Sequence, residues 1–339
     1  MNPVPPIVDS LGRPMHDLRV SVIDACNFRC GYCMPAENQY RFLRSHELLT
    51  VDEITRLVRL FVSLGVRKIR LTGGEPLLRK ELPDIIRSLN RIDGIEDVAL
   101  STNGHHLAEL AADLKAAGLQ RITVSMDDLD EEGFAELSGV RADLNRVLTG
   151  VEEAVRVGLR PVKVNVVIRR GINEHAVLDL VNFARGEGYV VRFIEYMDVG
   201  TLNAWGMKDI VPSKEILATI QTRYELAPAD PNYFGEVASR YLFSDGTGEI
   251  GFISSVTQPF CSQCTRARLS AYGSLYTCLF ASEGVDLRGL LRHDASDEKI
   301  LKTILDTWAA RTDRYSEERA EMTSEEREKH KVEMYSIGG

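Results

Sequence analysis

Apolar positions along this chain follow two periods that take turns. Between Leu18 and Met197, short β-branched runs of period two alternate with longer stretches whose apolar residues recur at helical spacing. The short runs predict strands at Leu18–Asp24, Arg67–Thr72, Val98–Ser101, Arg121–Met126, Val162–Ile168 and Val190–Glu195. Amphipathic helices are expected between most of them, at Val51–Leu64, Leu82–Asn90, Leu107–Ala117, Leu144–Val157 and His175–Glu187. Gly65, Gly118 and Gly158 stand where helix C-terminal caps belong. Successive strand–helix units predict an α/β chain with a parallel sheet, curled into an incomplete (β/α)6 barrel of the TIM type.

The rhythm changes from about Pro212. Shorter strand-like pieces follow at Gly251–Val256 and Ala267–Tyr272, then a charge-rich tail from Glu317 to Glu333 that reads as a solvated helix. The expected organisation is an N-terminal extension over 1–17, a partial barrel over 18–211 and a smaller C-terminal α+β domain over 212–339. Gly246, Gly248 and Gly251 spell a dinucleotide-binding fingerprint, but a strand follows them instead of a helix, so a β-turn is expected.

Strand periodicity also sorts charge. Lys68, Arg70 and Thr72 share one face, with Ile69 and Leu71 on the other; Arg19 and Ser21 oppose Leu18, Val20 and Val22. Lys163 and Asn165 oppose Val162, Val164 and Val166, and Arg192 opposes Val191 and Phe193. Helices cover the outside of a barrel, so the basic face should point inward. Unpaired cations there are costly unless something anionic joins them. A triphosphate suits that need, because the planar guanidinium fork matches phosphate oxygens. The alternative, a solvated strand face, suits antiparallel sheets better. Arg266 and Arg268 add two more cations just after Cys264.

Composition narrows the field. With 44% hydrophobic and 27% charged residues, the 339-residue chain has ample material for a core. A net charge of −9 argues against non-specific binding to nucleic acid or an acidic membrane surface. No apolar run approaches the roughly 18 residues needed to span a bilayer, and Met1–Asp17 lacks the apolar core of a secretory signal. A cytoplasmic protein is expected, where clustered cysteines bind metal or do chemistry more often than they form disulfides.

The six cysteines form two incomplete sets. Cys26, Cys30 and Cys33 are spaced C-x3-C-x2-C just past the first strand; Cys261 and Cys264 form C-x2-C, with Cys278 further on. None of the seven histidines lies inside either motif. Structural zinc takes four ligands, so each set is one short. A 4Fe–4S cluster held by three thiolates leaves one iron open to a guest. Zinc sites completed by distant histidines or carboxylates are the competing reading, and a better one for the second set than for the first. Polar strand ends support a ligand site: Thr72-Gly73-Gly74-Glu75-Pro76, Ser101-Thr102-Asn103-Gly104, Ser125-Met126-Asp127 and Glu195-Tyr196-Met197.

The run Cys26-Asn27-Phe28-Arg29-Cys30-Gly31-Tyr32-Cys33, with an aromatic before its last cysteine, resembles the signature of the radical S-adenosylmethionine superfamily. That resemblance implies an open iron that binds the methionine part of S-adenosylmethionine, whose reductive cleavage gives a 5′-deoxyadenosyl radical. The hard chemistry would belong to the cofactor, and the protein would orient and shield it. Gly73-Gly74-Glu75-Pro76 resembles the superfamily's motif for the methionine ammonium.

Together, both triplets, the Thr265–Arg268 run and Ile337-Gly338-Gly339 resemble the GTP 3′,8-cyclase family of molybdenum cofactor biosynthesis. The resemblance implies two 4Fe–4S clusters with GTP between them, loss of the ribose 3′ hydrogen, and attack of that carbon on guanine C8. By the same resemblance Cys26, Cys30 and Cys33 hold the first cluster and Cys261, Cys264 and Cys278 the second. Tyr32, Gly74, Ser125 and Met197 would contact S-adenosylmethionine. Arg19, Lys68, Arg70, Ser101, Lys163, Arg192, Arg266 and Arg268 would contact GTP or the tail, and Gly338 and Gly339 would reach the active site. Implied partners are an external electron donor and, downstream, cyclic pyranopterin monophosphate synthase; a homodimer is compatible. Where the family usually carries Thr-Asp-Arg before the first cysteine, this chain has Ile23-Asp24-Ala25. Two rivals stand beside this reading: a radical enzyme that modifies peptides with an auxiliary cluster, and a zinc-stabilised module without activity.

Overall fold

The computed structural model describes residues 7–327 and 331–339; residues 1–6 of the expected N-terminal extension and 328–330 of the tail lie outside them. The strands are β1 Asp17–Ser21, β2 Lys68–Thr72, β3 Asp97–Thr102, β4 Arg121–Ser125, β5 Val162–Ile168, β6 Val190–Glu195, β7 Leu226–Ala229, β8 Ser239–Phe243, β9 Glu249–Ile253, β10 Arg266–Leu269, β11 Ser274–Tyr276 and β12 Val285–Asp286. The larger helices are α1 Val51–Ser63, α2 Leu82–Leu89, α3 Leu107–Ala116, α4 Glu131–Ser138, α5 Leu144–Arg156, α6 Val177–Glu187, α7 Ser213–Gln221, α8 Leu287–Arg292 and α9 Asp297–Ala309.

Local chemistry explains the helix boundaries. Thr50 and Glu53 form a reciprocal capping box at the start of α1, each satisfying a free backbone N–H. Gly65, Gly118 and Gly158, just past α1, α3 and α5, all have positive φ, as the caps require. Ile54, Leu57, Val58 and Phe61 of α1 are buried, as are Val147, Val151 and Ala154 of α5. They pack on the outer face of the sheet, against Leu18, Val20, Ile69, Leu71, Val98 and Leu100.

All the strands join one sheet in the order β12-β11-β10-β1-β2-β3-β4-β5-β6-β9-β8-β7. The first six strands fulfil the expected parallel run, and β10 and β9 extend it in parallel at its two edges. The second half of the chain therefore does not build a sheet of its own. Its strands cover the edges of β1 and β6, whose backbone groups would otherwise lack partners. Among the described residues no pairing joins the two ends of the sheet, so the barrel is open. The β8–β9 hairpin turns at Gly246 and Gly248, both at positive φ, which fulfils the β-turn expectation. Among the described residues no helix is long and apolar enough to cross a membrane.

The expectation for the tail needs correction. It is not one solvated helix: residues 315–318, 324–327 and 334–337 form single helical turns. Arg319 and Lys331 are buried. Both face the Asp198 carboxylate, at 2.8 and 3.0 Å, so the charge that predicted solvation is spent on a buried ion cluster.

Candidate active site

A cavity of about 320 Å³ opens at the C-terminal ends of the parallel strands, and both cysteine triplets line it. The first triplet sits on the loop after β1. That loop is clamped against the end of β2 by hydrogen bonds from Gly74 N to the Ile23 carbonyl (2.7 Å) and from Glu75 N to the Ala25 carbonyl (2.8 Å). A Cβ on Gly73 or Gly74 would lie 2.4 Å from the Ile23 or Ala25 carbonyl oxygen, so only glycine permits this approach. The loop is closed on its other side by Tyr32, whose hydroxyl donates to Asp127 at 2.8 Å.

Two buried carboxylates brace the strand ends. Glu75 accepts from Leu77 N (2.9 Å), the Thr102 hydroxyl (2.6 Å) and Asn103 N (2.7 Å). Asp127 accepts from Val167 N at 2.7 Å as well as from Tyr32. Burial pushes Glu75 up to about 7 and Asp127 up to about 6, against the pull of these donors. Burial and the Glu75 charge push the Cys26 thiol up to about 11. Cys30 and Cys33 also rise, through burial and then through neighbouring negative charge, Asp127 for Cys30 and Cys26 for Cys33.

The second triplet lines the same cavity. Cys261 opens a single 3₁₀ turn that ends at Gln263, and β10 begins two residues after Cys264. Burial alone would raise the Cys264 thiol, but Arg266 and Arg311 outweigh it and bring it down to about 6. The Arg266 guanidinium donates to Cys264 Sγ at 3.2 Å. Cys278 goes the other way, up to about 11, through burial and the Asp313 charge.

A wall of cations lines this cavity too. Strand register places Arg268, Arg19 and Arg70 side by side on β10, β1 and β2. Arg70 donates to the hydroxyls of Ser101 and Thr123, both at 3.2 Å. Arg192 donates to Asn165 at 3.0 Å, and Gly251 on β9 leaves room for its stem. Burial and then mutual repulsion depress Arg19, and they bring Arg192 down to about 9 and Arg70 and Arg268 to about 10. Guanidinium groups stay protonated, so these shifts express a field that calls for an anion.

The tail enters this wall. Arg19 donates to the Gly339 carbonyl and Arg268 to the Gly338 carbonyl. Gly338 has φ +78°, and a Cβ there would lie 2.2 Å from Thr72 Cγ2.

Of the residues singled out by sequence, all but Lys163 and Gly338 line the cavity. Lys163 is on the lumen side of β5 in register with Thr123 and Val190, and burial with the charges of Arg192 and Arg121 brings it down to about 8. Sequence reasoning missed Arg121, which lines the cavity while paired with Asp97. Its signal was available, because it shares the inward face with Thr123 and Ser125. It also missed Tyr233, whose ring lies 3.0 Å from Lys68 Nζ, and Arg311; neither sits in a motif.

The residues fit the groups the resemblance implies. Among the described residues no three His, Cys, Asp or Glu draw together as ligands of a single ion. A four-iron cage instead takes one thiolate per iron, and each triplet offers three. Beside the second triplet, the buried Arg266 Nε has no hydrogen-bond partner among the described residues.

Comparison with known proteins decides the family. Residues 20–184 match the Radical SAM superfamily, and 189–317 match a family described as Molybdenum Cofactor Synthesis C. The chain is 52% identical over 338 residues to a GTP 3′,8-cyclase of Xanthomonas campestris, covering 98% of each. The chain belongs to the GTP 3′,8-cyclase family. Other relatives of that name are 50% identical in Acidothermus cellulolyticus, over 93% of this chain and 89% of that one, and 44% identical in Staphylococcus epidermidis, over 98% and 99%. Among solved structures, Streptococcus suis SuiB bound to S-adenosylmethionine superposes with a TM-score of 0.57 at 16% identity, over 87% of this chain and 66% of that one, which bears on the fold alone.

Proposed function

We propose that this chain converts GTP to 3′,8-cyclo-7,8-dihydro-GTP with S-adenosylmethionine and two 4Fe–4S clusters. The observation that carries the proposal is the meeting, in one cavity, of two three-thiol sites and the row Arg268–Arg19–Arg70. Cys26, Cys30 and Cys33 would hold one cluster and Cys261, Cys264 and Cys278 the other. When bound, S-adenosylmethionine and its reduced cluster supply a carbon radical able to take the ribose 3′ hydrogen.

The chain's own residues do the positioning. Tyr32, Gly74, Ser125 and Met197 line the end of the cavity near the first triplet and suit S-adenosylmethionine. Arg19, Lys68, Arg70, Ser101, Lys163, Arg192, Arg266 and Arg268 suit the triphosphate and base, the guanidinium forks pairing with phosphate oxygens. A peptide substrate would not need such a cationic wall. Residues 18–211 form the cofactor half in this reading, and 212–339 complete the substrate site. We place the chain in the cytoplasm, reduced by an external one-electron donor and passing its product to the enzyme that makes cyclic pyranopterin monophosphate. A homodimer is the assembly to look for by ultracentrifugation.

The test is anaerobic incubation of the reconstituted protein with reductant, S-adenosylmethionine and GTP. Both 5′-deoxyadenosine and a cyclised nucleotide should form. If 5′-deoxyadenosine forms alone, GTP is not the substrate.

A further inference from the structure

A buried charge cluster joins the segment before β1 to the segment after α9, and one of its members, Arg311, also lines the cavity. Asp9, Arg13 and Arg311 are all nearly inaccessible to solvent. Asp9 Oδ2 accepts from Arg13 Nε at 2.5 Å and from an Arg311 terminal nitrogen at 3.4 Å. Its other oxygen accepts from Leu11 N and Arg13 N, both at 2.9 Å. One carboxylate thus fixes two guanidinium groups and the turn that carries it.

Both guanidinium groups also reach the second cysteine loop, and Arg311 Nε donates to the Asp313 carboxylate at 3.2 Å. Arg13 donates to the carbonyl of Cys261 at 2.8 Å, and by the same nitrogen to that of Asp313 at 2.8 Å. Arg311 donates to the carbonyl of Cys264 at 2.8 Å. The backbone of both cysteines of the C-x2-C pair is therefore gripped from behind, by one residue that precedes β1 and one that follows α9. The grip is anchored further. Trp308 donates from its indole nitrogen to the Arg13 carbonyl at 3.1 Å, its ring lies under the Arg311 guanidinium, and the Ser10 hydroxyl donates to the Arg311 carbonyl at 2.5 Å.

We infer that Asp9, Arg13 and Arg311 form a clasp that shapes the Cys261–Cys264 loop for the second cluster. Asp9 and Arg13 are positioning residues, with no hydrogen bond to a thiol among the described residues; Arg311 grips the Cys264 carbonyl and also lies against the Cys264 thiol. Residues that hold a metal ligand in place contribute to affinity for the metal. This clasp acts on the loop backbone, through the carbonyls of Cys261 and Cys264. The segment before the barrel is then part of the second site, although nothing in its own sequence suggests a metal. Without Asp9, the buried Arg13 loses its carboxylate and Arg311 keeps Asp313, at 3.2 Å, so the two guanidinium groups are no longer held together. The loop they hold should relax with them, while the first triplet, braced by Gly73, Gly74 and Asp127, keeps its shape.

The inference rests on the second triplet holding a cluster, and the test separates the two. Native protein, Asp9→Ala and Arg13→Lys are reconstituted anaerobically, and iron, sulfide and electron paramagnetic resonance are measured with S-adenosylmethionine and with GTP added separately. Native protein should hold about eight irons per chain, two 4Fe–4S clusters' worth. A native value near four overturns the reading of the second triplet itself. Given eight, both variants should fall towards about four, lose the GTP-sensitive signal and keep the one that S-adenosylmethionine perturbs. Eight irons with both signals intact in the variants overturns the clasp alone. Loss of both clusters together in both variants also overturns it, since the cluster of charges would then support the whole fold and not this loop.

Discussion

Arg268, buried on β10, donates a hydrogen bond to the carbonyl oxygen of Gly338, tying the last residues of the tail to a strand of the open barrel. Its neighbour in register, Arg19 on β1, does the same for Gly339. The tail thus occupies two of the guanidinium groups that the cavity offers. Removing Gly338 and Gly339 should leave both clusters assembled and abolish formation of the cyclised nucleotide. Gly338→Ala should act in the same direction, because its backbone is at positive φ and its Cβ would strike Thr72. Iron content read beside turnover checks this; undiminished turnover in the truncated protein would refute it.

Lys163 offers a prediction in pH. Its folded value, about 8, lies below the ordinary 10.5. Unfolding therefore takes up a proton between those values, and the empty protein should gain stability as pH rises through that window. A bound polyanion has the opposite preference, since it holds the proton on Lys163. Affinity for inorganic tripolyphosphate should fall about tenfold from about pH 7 to about pH 9, and Lys163→Met should flatten the profile. Isothermal titration at several pH values is the measurement. A flat profile in the native chain would place Lys163 outside the anion site.

Much of this architecture was legible in residue order, and the reason is locality. A strand followed by its own helix leaves a period of two and then a helical period, so the edges of β5 and β6 fall where alternation places them. The inward direction of Arg19, Lys68, Arg70 and Arg192 follows from the same alternation. The partners of β9 and β10 leave no such trace. Arg266–Leu269 pairs with Asp17–Val20 across most of the chain, and nothing local announces that contact. The same holds for the tail. Read alone, its charges call for water, and only the fold brings Asp198 to meet Arg319 and Lys331.

That meeting is itself testable. Asp198 also accepts from the Tyr315 hydroxyl, and Lys331 Nζ donates to the Asp198 carbonyl at 2.8 Å. Burial opposes the Asp198 charge, but Arg319 and the Tyr315 hydroxyl hold its carboxyl below the ordinary range. Asp198→Ala leaves two buried cations unpaired, at a cost of about 3–5 kcal/mol. The tail from Lys331 onward should come loose first. Limited proteolysis should clip it faster than in native protein, with a lower denaturation midpoint. Equal clipping rates would show that Arg19 and Arg268 suffice to hold it.

Glu195 makes the sharpest link between the two halves of the chain. At the end of β6 and fully buried, its carboxylate accepts from Ser213 N (2.8 Å) and the Ser213 hydroxyl (3.0 Å) at the start of α7. After β9 it accepts from Val256 N (2.9 Å), Thr257 N (2.8 Å) and the Thr257 hydroxyl (2.5 Å). A carboxylate can serve all these donors because both of its oxygens accept; a glutamine must turn its amide nitrogen towards one set. Hydrogen bonds to a charged group contribute about 1.5–3 kcal/mol each, so Glu195→Gln should lose about 3 kcal/mol or more. Ser254→Ala, which removes only the hydroxyl contact to Ser213 at 2.7 Å, should lose about 1 kcal/mol. Urea denaturation of the two variants under the same conditions compares them. If Glu195→Gln proves no less stable than Ser254→Ala, this carboxylate does not hold the end of β6 to the segments on either side of it.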